Sequence, residues 1–359
     1  MKIVLYRKEF LNIAVILSVA DDGKRGALFT AGSNLSLMAS DGEMFLTASM
    51  AAKVERPGAA VLDLKKIIAI AHAVEGETML IDVTPVGGTL LAGKSKYRIM
   101  ARPEAEYPTM VPPEGGQAAV FKASIFAEVV SKVLPSIDEK GMRLQGCYMK
   151  FDGPNVIFAG TDGRQLAELT RPIQQSGEGA GVVPVRALRA AATIACQMEA
   201  DSTIDFSLAG SALLLSGGGF QLTALLLEQE FPQYERIFPK PEAMEATARV
   251  KAGVLYATLA RAALATQNSS GSVVMGTEEC LGFRLGAKDN PDFTETVVSA
   301  MMTGKNLEVS YSLRQLSGAI ATIPADAEVD LIINGETSPL RIGYAGDPGW
   351  RYVAMPMRG

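Results

Sequence analysis

The chain repeats itself, and no other feature constrains its fold as strongly. Residues 34–42 read NLSLMASDG and residues 155–163 read NVIFAGTDG, so Asn, Asp and Gly recur 121 positions apart. The run GKSKYRIMARPEAEYP, ending at Pro108, matches GGGFQLTALLLEQEFP, ending at Pro232, at an offset of 124 that one or two loop insertions explain. A third, weaker copy, LRIGYAGDPGWRYVAMP, ends at Pro356, a further 124 residues on. Three units of about 120 residues therefore fill the 359-residue chain.

Each unit has the same internal order. An amphipathic run at 7–20, 121–134 and 250–267 carries apolar residues at three- and four-residue spacing, which predicts a helix. Short strands follow, then a second helical run at 64–74, 185–198 and 312–323, then alternating strands such as 78–83 and 97–101. Pro/Gly-rich stretches, PPEGG at 112–116 and PKPEAMEA at 239–246, separate the copies. The expected fold is α+β, with each domain packing two helices on antiparallel sheet, and the expected domains are 1–116, 117–243 and 244–359.

Composition removes several function classes. No window approaches 18 uninterrupted apolar residues, so no membrane-spanning helix is expected. The start, MKIVLYRKEF, alternates like a strand and reaches charge by Lys8, unlike a secretory leader, and a cytoplasmic location is expected. Cys147, Cys196 and Cys280 are far apart and lack C-x-x-C spacing, so they read as small buried hydrophobes. The single histidine, His72, has no partner imidazole, which disfavours a metal cluster and Ser-His or Cys-His catalysis. Neither catalytic residues nor a cofactor is expected.

The net charge of −5 argues against a polyanionic partner, but the charge is unevenly distributed. The six helical runs hold Arg7, Lys8, Lys65, Lys66, Lys122, Lys132, Arg186, Arg189, Lys251, Arg261 and Arg314 against only Glu9 and Glu128. The rest of the chain holds 23 basic and 37 acidic residues. Helices lining one surface would then hold phosphates without reading bases, although the protein as a whole is acidic. With only Phe10, Phe121, Phe126 and Tyr256 as aromatics in these runs, stacking on single-stranded bases is not the expected mode.

Residues 88–95, GTLLAGKS, satisfy the phosphate-cradling pattern of nucleotide hydrolases. That chemistry needs a helix opening at Lys94–Ser95, whereas SKYRIMARPE alternates like a strand. The second repeat has SALLLSGGG here, without lysine. A β-hairpin turn is the expected structure, and a P-loop hydrolase using Lys94 and Ser95 the less favoured alternative.

The TDG element at 161–163 followed by Leu166 and Ala167, the segment FPQYERIFP at 231–239 and the terminal YVAMPMR at 352–358 together resemble the bacterial DNA polymerase III β subunits, the sliding clamps. The resemblance covers essentially the whole chain. It implies a ring of two chains and six domains, helices inside and sheets outside, acting as a non-catalytic processivity factor that encircles double-stranded DNA without sequence preference. A diverged paralogue serving a specialised partner is the alternative within the family.

The resemblance also implies sites. A peptide-binding pocket for the replicative polymerase, the clamp loader and other clamp-motif peptides would use Leu144, Gly146, Thr161, Gly163, Arg164, Gln165 and Leu166 from the middle unit. Pro232, Arg236 and Ile237 would join them, with Leu340, Val353, Met355, Pro356 and Met357 from the last unit. Flexible Met side chains beside Pro and Leu suit an adaptable apolar groove. A head-to-tail homodimer would use Lys65, Lys94 and Tyr97 on one side and Leu264, Asp292 and Glu295 on the other. Three departures touch these sites: Arg164-Gln165 stands where the family commonly has His-Arg, Met142 and Arg143 stand where aromatics are frequent, and the chain ends in Gly359 rather than a large aliphatic residue.

Overall fold

The computed structural model describes residues 1–85, 87–110, 119–139, 145–175, 177–199, 201–238, 245–265, 270–277, 280–287, 290–297, 301–305 and 307–357, with backbone alone over the strands between 270 and 297. The linker at 112–116 and most of that at 239–246 lie outside them, as do Leu144, Met142, Arg143 and Gly359.

Three runs of elements follow one another along the chain. The first is β1 (Lys2–Tyr6), α1 (Arg7–Leu17), β2 (Ala27–Ala31), β3 (Leu35–Ser40), β4 (Met44–Met50), β5 (Lys53–Arg56), β6 (Gly58–Leu62), α2 (Leu64–Ala73), β7 (Thr78–Thr84), β8 (Gly87–Ala92), β9 (Ser95–Ile99) and β10 (Ala101–Arg102). The second is β11 (Ala119–Lys122), α3 (Ile125–Lys132), β12 (Gly146–Asp152), β13 (Asn155–Thr161), β14 (Gln165–Pro172), β15 (Ala180–Pro184), α4 (Val185–Ala195), β16 (Thr203–Ala209), β17 (Ala212–Gly217) and β18 (Phe220–Leu225). The third is β19 (Ala246–Lys251), α5 (Ala252–Ala265), β20 (Ser270–Thr277), β21 (Cys280–Ala287), β22 (Asn290–Val297), β23 (Met301–Gly304), β24 (Leu307–Ser312), α6 (Leu313–Ile320), β25 (Glu328–Ile333), β26 (Leu340–Tyr344) and β27 (Trp350–Ala354).

Every run opens on a strand that the periodicity did not separate from the helix after it. In β11 and β19 burial alternates residue by residue, so their apolar side chains continue smoothly into the helical stripe. Lys122 and Lys251 consequently stand on strands, not helices. The opening strands are used alike: β1 pairs with β5, β19 pairs with β23, and in the second run the same contact shrinks to a bridge between Val120 and Gln175.

Two compact units result, one of Met1–Ala127 with Ile173–Leu227, the other of Glu128–Pro172 with Glu228–Gly359. In the first, the order β10-β6-β2-β3-β4-β18-β17-β16-β11 forms one sheet and β5-β1-β7-β8-β9 another. In the second, β12-β13-β14-β27-β26-β25-β19-β23 run side by side, and β22-β21-β20-β24 form a separate sheet. Each unit thus contains one seam at which strands of different repeats pair, β4 with β18 and β14 with β27, all antiparallel. β9 and β22 each end a sheet with one side unpaired.

The helices are short and rely on their buried faces rather than propensity. Asp63 caps α2 by accepting from Lys66 N at 2.9 Å, and Ser312 caps α6 by accepting from Gln315 N at 3.4 Å. Arg7 closes the other end of α2, its Nε 2.8 Å from Gly76 O and its Nη1 3.0 Å from Ala71 O. In the first unit Phe10 of α1 meets Phe29 at 6.3 Å, and α4 buries Val185, Leu188 and Ile194. In the second, Trp350 and Tyr352 lie on one face of β27, stacked at 6.1 Å.

Residues 88–95 form the expected hairpin. Ala92 pairs with Ser95 across the two-residue turn Gly93-Lys94, Gly93 has φ of 56°, and β9 follows. With a strand after Lys94 there are no helix-terminal amides to cradle a phosphate, which removes the P-loop alternative. Cys147 is buried, and burial pushes its thiol up. Cys196, expected inside, is exposed because it caps the C-terminus of α4. No helix among the described residues is long and apolar enough to cross a membrane.

Candidate peptide-binding cleft

A hydroxyl-Asp-Gly turn organises the site. Between β13 and β14, Thr161 Oγ1 accepts from Gly163 N at 3.0 Å and donates to Gln165 O at 2.6 Å, while Asp162 Oδ1 accepts from the amides of Arg164 and Gln165 at 2.8 and 2.9 Å. Gly163 has φ of 84°, which a side chain would disfavour. The tail of the chain emerges next to this turn because Gln165 pairs with Ala354 across β14 and β27. Met355 N then donates to Arg164 O and Met357 N to Ser310 O, both at 2.8 Å. The terminal Met-Pro-Met is therefore fastened on both sides.

Beside the tail opens a cleft of about 1190 Å³, lined by the turn, the tail, α6 and the 3-10 turn Leu134–Ser136. Its floor is a hydrogen-bond network. Tyr352 Oη donates to Gln165 Oε1 at 2.6 Å, and the Nε2 atoms of Gln165 and Gln315 donate to Asp162 Oδ2 at 3.0 and 3.3 Å. Burial raises the pKa of Tyr352 and keeps its hydroxyl a donor. Gly160 allows the wall to sit close: a Cβ there would lie 2.8 Å from Ile137 Cγ1 and 3.0 Å from Val133 Cγ1.

An ion network stiffens the base of α3. Asp347 accepts from Lys132 at 2.5 Å and from Arg171 at 2.7 Å, and Arg171 also pairs with Glu128. Burial alone would raise the Asp347 carboxyl, but the hydrogen bonds from Arg171 and Lys132 outweigh it and hold the group below its ordinary value. The same contacts raise Lys132 and Arg171 against the opposing effect of burial.

The residues expected in the pocket fall into distinct sets. Arg164, Gln165, Met355, Pro356 and Met357 line the cleft. Gly146, Thr161, Leu166, Leu340 and Val353 are buried; Leu166 and Val353 pack with Ala159, Tyr234 and Phe238. Gly163, Pro232, Arg236 and Ile237 are exposed and do not line it. The segment bearing the last three is anchored by Tyr234 and Phe238, by Arg351 stacked 4.0 Å over the Phe238 ring, and by the Arg351 pair to buried Glu168 at 2.5 Å.

Sequence reasoning missed the contributions of α6 and of Leu134–Ser136. In α6 the spacing Gln315, Ala319, Thr322 marks a helical face of small and polar side chains that can border a cleft, a signal visible in the sequence.

Two of the expected phosphate-facing charges stand elsewhere. Arg314 lines the cleft. Lys132, with its side chain 13% exposed, is neutralised by Asp347 because α3 packs that face onto the 344–350 turn. Lys8, Lys65, Lys66, Arg189, Lys251 and Arg261 are exposed and Arg7 is partly so, while Lys122 pairs with Asp201 and Arg186 with Asp41. Counted on the helices as they form, nine basic residues still face two acidic ones. Of the expected dimer residues, Lys65 and Lys94 are exposed, Tyr97 is half-buried on edge strand β9, and Leu264 is 89% exposed. Asp292 and Glu295 lie on edge strand β22, their side chains outside the description.

Comparison with known proteins agrees at every level. Residues 235–358 match the family model described as DNA polymerase III beta subunit, C-terminal domain. A beta sliding clamp of Synechococcus elongatus is 24% identical over 355 residues, covering 96% of this chain and 92% of the relative, and that of Escherichia coli is 21% identical over 348 residues, covering 92% and 90%. The crystal structure of the DNA polymerase III subunit beta from Pseudomonas aeruginosa superposes with a TM-score of 0.92 at 19% identity, covering 100% of both chains. The beta subunit from Thermotoga maritima gives 0.90 at 20% identity, covering 100% of this chain and 99% of the other. From its repeated architecture to its terminal cleft, this chain belongs to the DNA polymerase III β subunit family, the β sliding clamps.

Proposed function

We propose that the protein is a DNA sliding clamp: a non-catalytic processivity factor that encircles duplex DNA and tethers the replicative polymerase and other DNA-handling enzymes. The observation that carries this reading is the charge split, with helices positive on a chain whose net charge is −5. Lys8, Lys65, Lys66, Arg189, Lys251 and Arg261, with Arg7 and the paired Lys122 and Arg186, would give weak attraction to phosphates in any register, so the ring slides. Topology then prevents dissociation.

On this reading the chain holds three domains, 1–116, 117–243 and 244–359, and two chains close head to tail into six. The unpaired edges of β9 and β22 suit that junction, with Lys65, Lys94 and Tyr97 on one side and Leu264, Asp292 and Glu295 on the other. Met100, 77% exposed just beyond β9, adds apolar area to the first side. The cleft is the docking site for partner peptides from polymerase and clamp loader, and the protein acts in the cytoplasm.

Deleting residues 355–359 tests the docking site. The truncated chain is expected to remain a dimer and to lose affinity for a labelled polymerase C-terminal peptide by about thirtyfold or more, because it removes an anchoring wall worth upwards of about 2 kcal/mol. Unchanged peptide affinity in a folded, dimeric truncation would overturn the assignment of the cleft.

A further inference from the structure

We propose that the cleft selects peptides presenting a carboxylate beside their apolar anchor, and that Arg164 and Arg314 together receive it. The inference rests on the reading of the cleft as a docking site and names the chemistry of its partner.

The internal repeat provides the comparison that isolates these two residues. At the β4–β18 seam the turn is Ser40-Asp41-Gly42, with Ser40 Oγ accepting from Gly42 N at 2.9 Å and Asp41 Oδ1 from Glu43 and Met44 amides at 3.0 and 2.8 Å. Leu225 N donates to Glu43 O at 2.9 Å, as Met355 N donates to Arg164 O. The match fixes the correspondences. Glu43 occupies the place of Arg164, Leu225 that of Met355, and Arg186, second residue of α4, that of Arg314, second residue of α6.

The charges then diverge. Arg186 Nη1 meets Asp41 Oδ2 at 2.6 Å, so the first seam spends its arginine on its own turn. At the second seam the equivalent oxygen, Asp162 Oδ2, already accepts from Gln165 and Gln315. Among the described residues Arg314 has no carboxylate partner, and neither does Arg164, which replaces an acidic residue by a basic one. Both are exposed and line the same cleft as Met355, Pro356 and Met357. Of the other charged residues lining it, Lys132 is neutralised by Asp347, and Asp138 is engaged in an interaction of its own. Two uncommitted guanidiniums beside an apolar wall complement a carboxylate next to an apolar side chain.

The carboxylate could be an acidic side chain or the C-terminus of the partner, and the probes separate these. Fluorescence anisotropy with the intact protein would compare synthetic peptides carrying two leucine anchors: Asp-flanked and amidated, Asn-flanked and amidated, and Asn-flanked with a free C-terminus. At low salt one carboxylate peptide should bind about fivefold tighter than the amidated Asn peptide, as expected for exposed pairs. The preference should fall toward one in an Arg164→Gln/Arg314→Gln double variant whose fold is verified by thermal melting. Met355→Ala should weaken all three peptides and leave the ratio standing. Equal wild-type affinity for all three, or a ratio that survives the double variant, would overturn the proposal while leaving the docking site intact. Failure of every peptide to bind would overturn the docking reading and this inference with it.

Discussion

The two inter-repeat seams carry the same backbone and opposite uses. At β4–β18 and at β14–β27 a strand from one repeat pairs with a strand from another, beside a hydroxyl-Asp-Gly turn and the first turn of a helix. The hydrogen bonds agree atom for atom, yet the first seam closes on itself through Arg186–Asp41 and the second leaves a lined cleft. The difference lies in a few side chains. Gln165 and Gln315 satisfy Asp162, and the chain ends there instead of continuing as it does after Leu225. A repeated scaffold therefore keeps its ladder and acquires a binding site by reassigning the partners of one carboxylate oxygen.

The largest effect should come from the glycine that lets the cleft wall approach. The equivalent of Gly160 in the first seam is Ala39, fully buried, so a small side chain fits there while Gly160 already meets Ile137. Gly160→Val should destabilise the second unit by about 3 kcal/mol through overpacking, read as a lowered Tm. A melting point equal to wild type would mean that the wall is not held against β13.

Acid should act unevenly too. Asp347 has a folded pKa below its ordinary value, so its contribution is full above the carboxylate range near pH 4 and is lost as pH falls through the depressed value. Trp350, the single tryptophan, sits beside this network and reports on it. Its fluorescence should change below about pH 4, and Asp347→Asn should abolish that step. An identical acid transition in the variant would detach the network from stability.

The smallest effect tests the seams directly. Arg186→Ala should cost about 0.5 to 1 kcal/mol, since its side chain is 58% exposed although Asp41 is 9% exposed. Arg314→Ala should leave Tm unchanged within error. Equal losses would show that Arg314 is committed to its own fold after all.

Much of this was legible in the sequence because repeats preserve turn chemistry. Asn-x₆-Asp-Gly recurs because each copy needs the same hairpin, and GTLLAGKS was readable as a hairpin from the alternation after Lys94. What escaped depended on contacts between distant segments. Leu166 and Val353 resemble groove residues in sequence but are covered by Tyr234 and Phe238, which arrive from some seventy residues away and more. Lys132 looked like a free helical charge until Asp347, 215 positions on, was brought to it. Arg314 could not be separated from the other basic helix residues without knowing that Asp162 was already satisfied.

The central claim is topological, and retention on DNA tests it most directly. Protein loaded by a clamp loader onto nicked circular duplex should stay bound through a high-salt wash that strips phosphate contacts, and should leave when the circle is cut once by a restriction enzyme. Loss from intact circles at high salt, with the dimer still closed by sedimentation, would contradict encirclement.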